Sequence, residues 1–209
     1  MSALGDFPHQ FVPATGEGRL TLLLLHGTGG NEHDLLPLGR TLSPGAALLS
    51  PRGRVMEHGM PRFFRRLAEG VFDLDDVRVR AGELAAFVTE AADTYGFDAG
   101  RVVAAGYSNG ANIAHATLLL HPGTFAAAAL FHPQIVVRPD PLPDLGGTPI
   151  FIGAGERDPI VSRHDVEALI DTLTRSGARV TTMWSPGGHS LSRDETDRAR
   201  EWLEEIYAV

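Results

Sequence analysis

Apolar positions in this chain fall into two patterns that take turns. The first is a short run that is apolar on both faces. Leu20 to Leu25 is such a run, with TLLLL at its centre, and it stops at His26-Gly27. Ala47 to Ser50, Val102 to Ala105, Phe125 to Phe131 and Pro149 to Ala154 repeat it. Runs of this kind suit interior parallel strands covered by helices on both sides. Arg179 to Trp184 reads as a further strand with alternating character. The second pattern has helical spacing. Val77, Ala81, Leu84, Val88 and Ala91 mark a helix over Asp75 to Tyr95, with Asp75 and Asp76 at the positive end of its dipole and Gly82 weakening it slightly. Ala111 to Leu120 is helical in character. Ser162-x-x-Asp165 resembles a capping box ahead of Val166, Leu169, Ile170 and Leu173, and Gly177 stops that stripe. Ser192-x-x-Glu195 is a full capping box ahead of Ala199, Trp202, Leu203 and Ile206. Strand alternating with helix predicts an α/β fold with a mostly parallel sheet and helices on both faces. Right-handed crossovers then place every strand's C-terminal end on one edge, where such sheets bind ligands.

Three stretches lack either period. Residues 1–19 are polar and turn-rich, with an edge strand expected near Gln10 to Pro13. Residues 51–73 mix Gly, Pro, aromatics and arginines and read as a long surface loop. Pro133 to Pro143 is a proline-rich connection. At 209 residues the chain is most simply one domain, 1–209, large enough for a substantial core. Its formal charge of −8 argues against a non-specific nucleic-acid binder. With no cysteine, disulfides, thiolate catalysis and thiolate metal sites are excluded. MSALGDFPHQ shows no secretory signal pattern and no apolar run is long enough to span a bilayer, so a cytoplasmic protein without membrane insertion is expected.

The chemistry centres on Arg101 to Gly110, RVVAAGYSNG, where G-x-S-x-G lies between a strand and a helix. In that setting the serine, Ser108, sits on a sharp turn with its hydroxyl projecting from the sheet. A serine hydroxyl needs a base to take its proton, and the base needs a carboxylate to orient it. In this kind of fold the order is serine, acid, histidine. Only His164 and His189 follow both the serine and a plausible acid. His164 falls inside a predicted helix, whereas His189 lies in a loop after the last strand, so His189 is the expected base. Asp158, in the turn after the Pro149 to Ala154 strand, is the expected acid, with Glu156 its main rival and Asp140, Asp144 and Asp165 behind. The oxyanion of a tetrahedral intermediate needs N–H donors. The backbone of Asn109 and of Thr28, in the loop His26-Gly27-Thr28-Gly29-Gly30, are expected to supply them. His26 is expected to be structural. No His-Glu-x-x-His pattern accompanies His33 and Asp34, so no metal or other cofactor is expected, and Asn31 is read as the cap of the helix carrying that pair.

These residues resemble the α/β-hydrolase superfamily and, more narrowly, the bacterial phospholipase/carboxylesterase family. The resemblance runs from about Leu20 to the C-terminus, on LLHGTGGNEHDLLPL, GYSNGANIA, GAGERDPIV and GGH. SPRGRVMEHGMPRFFRRLAEGVFD resembles a subgroup found with hydroquinone-processing genes. It implies an α/β-hydrolase fold without a large lid domain, and a Ser-His-Asp esterase acting on small to medium acyl esters with Ser108, Asp158 and His189 in the matching places. It also implies a possible homodimer. His132-Pro133-Gln134 has glutamine where the pattern suggests an apolar residue, which bears on the acyl pocket. Met56, Met60, Phe63, Phe64 and Phe72 are read as an apolar wall over the serine, with Tyr107 and Gln134 as further substrate contacts. Arg52, Arg54, Arg62, Arg65 and Arg66 either attract an acidic or phenolic substrate or are simply solvated. Two alternatives stay open: a thioesterase or protein deacylase of the same family, and a non-catalytic receptor for a small ligand on the same fold.

Overall fold

A computed structural model describes residues 3–16 and 20–207. In chain order its elements begin with α1 (Ala3–Asp6), β1 (His9–Val12), β2 (Thr21–Leu25), α2 (Leu36–Leu42) and β3 (Ala47–Pro51). Two small hairpins follow: β4 (Val55–Glu57) with β5 (Met60–Arg62), and β6 (Arg66–Ala68) with β7 (Val71–Phe72). The rest is α3 (Leu74–Tyr95), β8 (Val102–Tyr107), α4 (Asn109–Leu120), β9 (Ala127–Phe131), β10 (Pro149–Gly155), α5 (Arg163–Arg175), β11 (Arg179–Ser185) and α6 (Arg193–Tyr207). Of the polar opening 1–19, positions 1, 2 and 17–19 lie outside the described residues.

Seven of these strands form one sheet in the order β1-β3-β2-β8-β9-β10-β11. All neighbours are parallel except β1, which runs antiparallel to β3 at the edge. The period of two decides which side chains go where. Leu23 and Leu25 of β2 join Ala104 of β8 and Leu130 of β9 on the face covered by α3, α4 and α5. Leu22 and Leu24 join Val103, Ala105, Ala129 and Phe131 on the face covered by α2 and α6. Helices on both faces explain why the interior strands β2, β8 and β9 are buried along nearly their whole length, whereas the edge strand β11 keeps exposed positions.

The helix caps follow from local chemistry. Asp73 accepts a hydrogen bond from Asp76 N–H at 3.1 Å and starts α3 one residue before the first of its two acidic neighbours. Gly96 ends α3 in a left-handed conformation, φ 73°. Ser162 caps α5 through the Asp165 N–H, and Ser192 and Glu195 exchange bonds at the start of α6.

Two expectations change. Residues 51–73 are not a loop but the two hairpins. Their strands span two or three residues, too short to show a period, and the β4–β5 turn is signalled only by His58 and Gly59, both with positive φ. Asn31 does not cap a helix: its Oδ1 accepts from His33 N–H at 2.8 Å within a turn, and α2 begins only at Leu36. No helix among the described residues is long and apolar enough to cross a membrane.

Candidate active site

The central strand β8 ends in a turn too tight for ordinary side chains at its glycines. A Cβ on Gly106 would lie 2.6 Å from the Gly110 carbonyl, and one on Gly110 would overlap the Leu25 carbonyl of β2. Between them Ser108 takes φ 53° and ψ −116°, a strained combination for an L-residue. Its N–H donates to Phe131 O of β9 at 2.9 Å, and α4 starts immediately behind it. Because the obstruction at Gly110 is backbone, relaxation is costly. Gly110→Ala is expected to destabilise the protein by more than about 4 kcal/mol, read as a large drop in the urea midpoint or loss of soluble protein. A wild-type midpoint would contradict this account of the turn.

Three side chains from three separate segments meet at this turn. His189 Nε2 lies 2.8 Å from Ser108 Oγ, and His189 Nδ1 lies 2.7 Å from Asp158 Oδ2. Asp158 follows β10 and His189 follows β11. The two loops are laced together by Glu156 N–H to Ser185 O, Arg157 N–H to Gly187 O and the Arg157 guanidinium to Pro186 O. A side chain on Gly155 would strike the Gly188 carbonyl, so the loops meet backbone to backbone. Tyr107 adds a tether through its hydroxyl, which donates to His189 O at 2.5 Å. Burial, reinforced by the charges of Asp158 and Glu195, raises the Tyr107 pKa and keeps that hydroxyl a donor.

Asp158 is almost fully buried, and burial alone would favour its neutral form. The opposing effect wins: Val161 N–H, His189 and Ile160 N–H all donate to it and hold its pKa below the usual carboxylate range. Glu156, the rival acid, is exposed, and His164 is exposed on α5.

Of the expected oxyanion donors, Asn109 directly follows Ser108 and Thr28 lines the same cavity. Asn109 opens α4, so its N–H belongs to the first helical turn, which has no acceptor within the helix. In the loop after β2, Gly29 N–H is bound to Pro61 O and Gly30 N–H to Gly27 O. Thr28 itself is clamped through its hydroxyl, which accepts from the buried Arg62 Nη1 at 2.6 Å. His26 is buried between these parts, bonding Gly27 O and accepting from Gly53 N–H, and burial lowers its pKa.

A cavity of about 320 Å³ opens on Ser108. Phe72, Tyr107 and Gln134 line it, together with Asn112, Arg62, Arg66, Ile160 and Val161. The rest of the expected apolar wall is elsewhere. Phe63 and Phe64 are buried in the core, where the Asn109 side chain accepts from Phe63 N–H. Met56 is 63% exposed and Met60 39% exposed on the outer hairpin, and neither lines the cavity. The five arginines are all in ion pairs: Arg52 with Glu32, Arg54 with Asp6 and Glu83, Arg62 with Glu57, Arg65 with Asp73, and Arg66 with Glu57 and Glu69.

Sequence reasoning passed over His132. Its ring is buried beside the site, with Nδ1 3.2 Å from Asp158 Oδ2. It precedes the acid in the chain, so the serine–acid–histidine order filtered it out. His132, Asp158 and His189 place one potential ligand atom each within 4.8 Å of one another, the spacing of a small metal site. Both imidazoles instead direct Nδ1 at the same carboxylate oxygen at hydrogen-bond distance, which calls for a proton on each nitrogen rather than a free lone pair.

The chain matches known proteins over nearly its whole length. It is 53% identical over 184 residues, 88% of this chain and 92% of the other, to "Putative hydrolase MhqD" of Bacillus subtilis (strain 168). It superposes on the Bacillus cereus carboxylesterase with a TM-score of 0.94 at 46% identity, covering 96% of this chain and 95% of that one. For a carboxylesterase from Mesorhizobium loti the TM-score is 0.89 at 36% identity, over 95% and 94% of the two chains. The dienelactone hydrolase family model matches residues 65–205, a span that takes in the serine turn, both loops and most of α6. With that match over most of the chain, the protein belongs to the dienelactone hydrolase family, hydrolases of the α/β-hydrolase superfamily.

Proposed function

We propose that this hydrolase is a carboxylesterase that works through an acyl-enzyme. The observation that carries the reading is the line from Ser108 Oγ to His189 Nε2 to Asp158 Oδ2, with separations of 2.8 and 2.7 Å, at a strained serine turn facing a cavity. Ser108 Oγ attacks the ester carbonyl while His189 Nε2 takes its proton. Asp158 holds His189 in the tautomer that leaves Nε2 free to accept, and stabilises the imidazolium. The Thr28 and Asn109 N–H groups receive the oxyanion. His189 then returns the proton to the departing alcohol. Water repeats the sequence on the acyl-enzyme and releases the acid.

The cavity supports small esters rather than long acyl chains. At about 320 Å³ it lies at the low end of ligand-pocket sizes, and Asn112, Gln134 and Arg66 interrupt its apolar surface. The carboxylesterase neighbours support ester hydrolysis itself. A fluorophosphonate probe is expected to label the protein stoichiometrically at Ser108, mapped by peptide mass spectrometry, and to abolish turnover of short p-nitrophenyl esters in parallel. A protein that binds small ligands tightly yet stays unlabelled would instead be a receptor.

A further inference from the structure

The buried carboxylate at the centre of the site is shared. Asp158 Oδ1 accepts from Ile160 N–H at 2.8 Å and Val161 N–H at 3.0 Å. Oδ2 faces two imidazoles, His189 Nδ1 at 2.7 Å and His132 Nδ1 at 3.2 Å. The two rings lie edge to face with centroids 5.3 Å apart. Behind His132 stands Glu195 of α6, whose Oε1 is 3.2 Å from His132 Nε2, an ion-pair distance without the alignment of a good hydrogen bond. Glu195 Oε2 is held by the N–H and hydroxyl of Ser192. Neither His132 nor Glu195 exposes any side-chain surface, and neither lines the cavity.

Burying a histidine and a carboxylate is costly, and an apolar pair would fill the space at least as well. Their placement is also demanding. His132 has φ 52°, with its N–H donated to Gly153 O at 2.7 Å. That left-handed backbone turns the ring to the Asp158 carboxylate rather than into the core. On the hydrolytic reading above, we infer that His132, backed by Glu195, is a positioning residue. It occupies the second lone-pair direction of Asp158 Oδ2, so that the carboxylate can turn neither away from His189 nor wholly onto it. The capping box of α6 thereby has two uses: one Glu195 oxygen closes the helix and the other supports the site.

The test compares His132→Ala with His132→Asn. Asparagine tolerates the left-handed backbone, and its amide N–H₂ can take the place of Nδ1. His132→Ala is expected to lower kcat by about tenfold or more, with KM unchanged, as one hydrogen bond to a charged group is lost. His132→Asn is expected to recover kcat to within about threefold of wild type. Proton NMR of the resting enzyme reads the same contact without substrate. The downfield His189 Nδ1–H resonance should broaden or change position in His132→Ala and keep its wild-type position in His132→Asn. Should His132→Ala leave no folded protein, Glu195→Gln substitutes for it, expected to lower kcat severalfold at constant KM. Wild-type kcat and an unchanged resonance in the folded alanine variant, or in Glu195→Gln, would overturn the inference. So would equal impairment of the alanine and asparagine variants. A wild-type protein that cleaves no ester would instead retire the hydrolytic reading, leaving the NMR contrast to judge the pairing.

Discussion

Ser108→Ala is expected to lower kcat on p-nitrophenyl acetate about a millionfold, roughly 8 kcal/mol of transition-state stabilisation. The size follows from how the three side chains are linked. Ser108 Oγ is the atom that faces His189 Nε2, and His189 faces Asp158. Without the hydroxyl, no bond to the acyl carbon can form, and the base and its carboxylate have nothing to activate. Such units are non-additive: Ser108→Ala combined with His189→Ala should be scarcely worse than either alone. The residual rate should still exceed that of water, because the Thr28 and Asn109 N–H groups remain. The variant should fold as wild type does, since the strained backbone at 108 is set by the glycines and by the bond to Phe131 O, not by the hydroxyl. Hydrolysis by purified Ser108→Ala at anything near the wild-type rate would remove Ser108 from the reaction.

Asp158→Asn should cost about ten thousandfold in kcat with little change in KM. The asparagine carbonyl can still accept from Ile160 and Val161, so the turn should hold. The amide nitrogen, however, would replace the oxygen that both imidazoles face. It would donate to His189 Nδ1, forcing the proton onto Nε2, where the ring can no longer accept from Ser108. The substitution also acts on stability. The folded-state pKa values of Asp158 and Glu195 both lie below the ordinary carboxylate range, against the pull of burial, because of their hydrogen-bond donors. Their contribution to folding is therefore complete above the ordinary carboxylate pKa and is lost as pH falls through the depressed values. Acid unfolding of Asp158→Asn should depend less steeply on pH than that of wild type in that acidic window. Near-normal kcat in this variant would mean that another group orients His189.

Legibility differed by element for physical reasons. The β2 and β8 strands declared themselves because both faces are covered and their central runs, Leu22 to Leu25 and Val102 to Ala105, are wholly apolar. The caps at Ser162 and Ser192 were readable because a cap is a contact between residues three apart. The two hairpins were not, because strands of two or three residues carry no period and are held by ion pairs such as Arg66 to Glu57. Phe63 and Phe64 looked like pocket residues because hydrophobicity says only that a side chain will be covered. Whether substrate or core covers it depends on how β5 meets Asn109, whose side chain accepts from Phe63 N–H at 2.8 Å. His115 shows the same limit. It is buried in α4 with its pKa pushed down to about 4, and it ties down the proline-rich segment by accepting from Val136 N–H. Nothing local marks it as an anchor.

What the sequence determined by itself was the layered α/β plan and the candidate residues of the site. Both rest on patterns of nearby residues: apolar periods, the glycines around Ser108, and the order of serine, acid and histidine. Only the tertiary structure decided distances between loops far apart in the chain. It brought Ser108 and His189, 81 positions apart, to 2.8 Å, and it placed His132 and Glu195 behind Asp158. Convergence of this kind depends on strand order and on backbone packing such as Gly155 against Gly188. Those are properties of the assembled sheet that no local run of residues encodes.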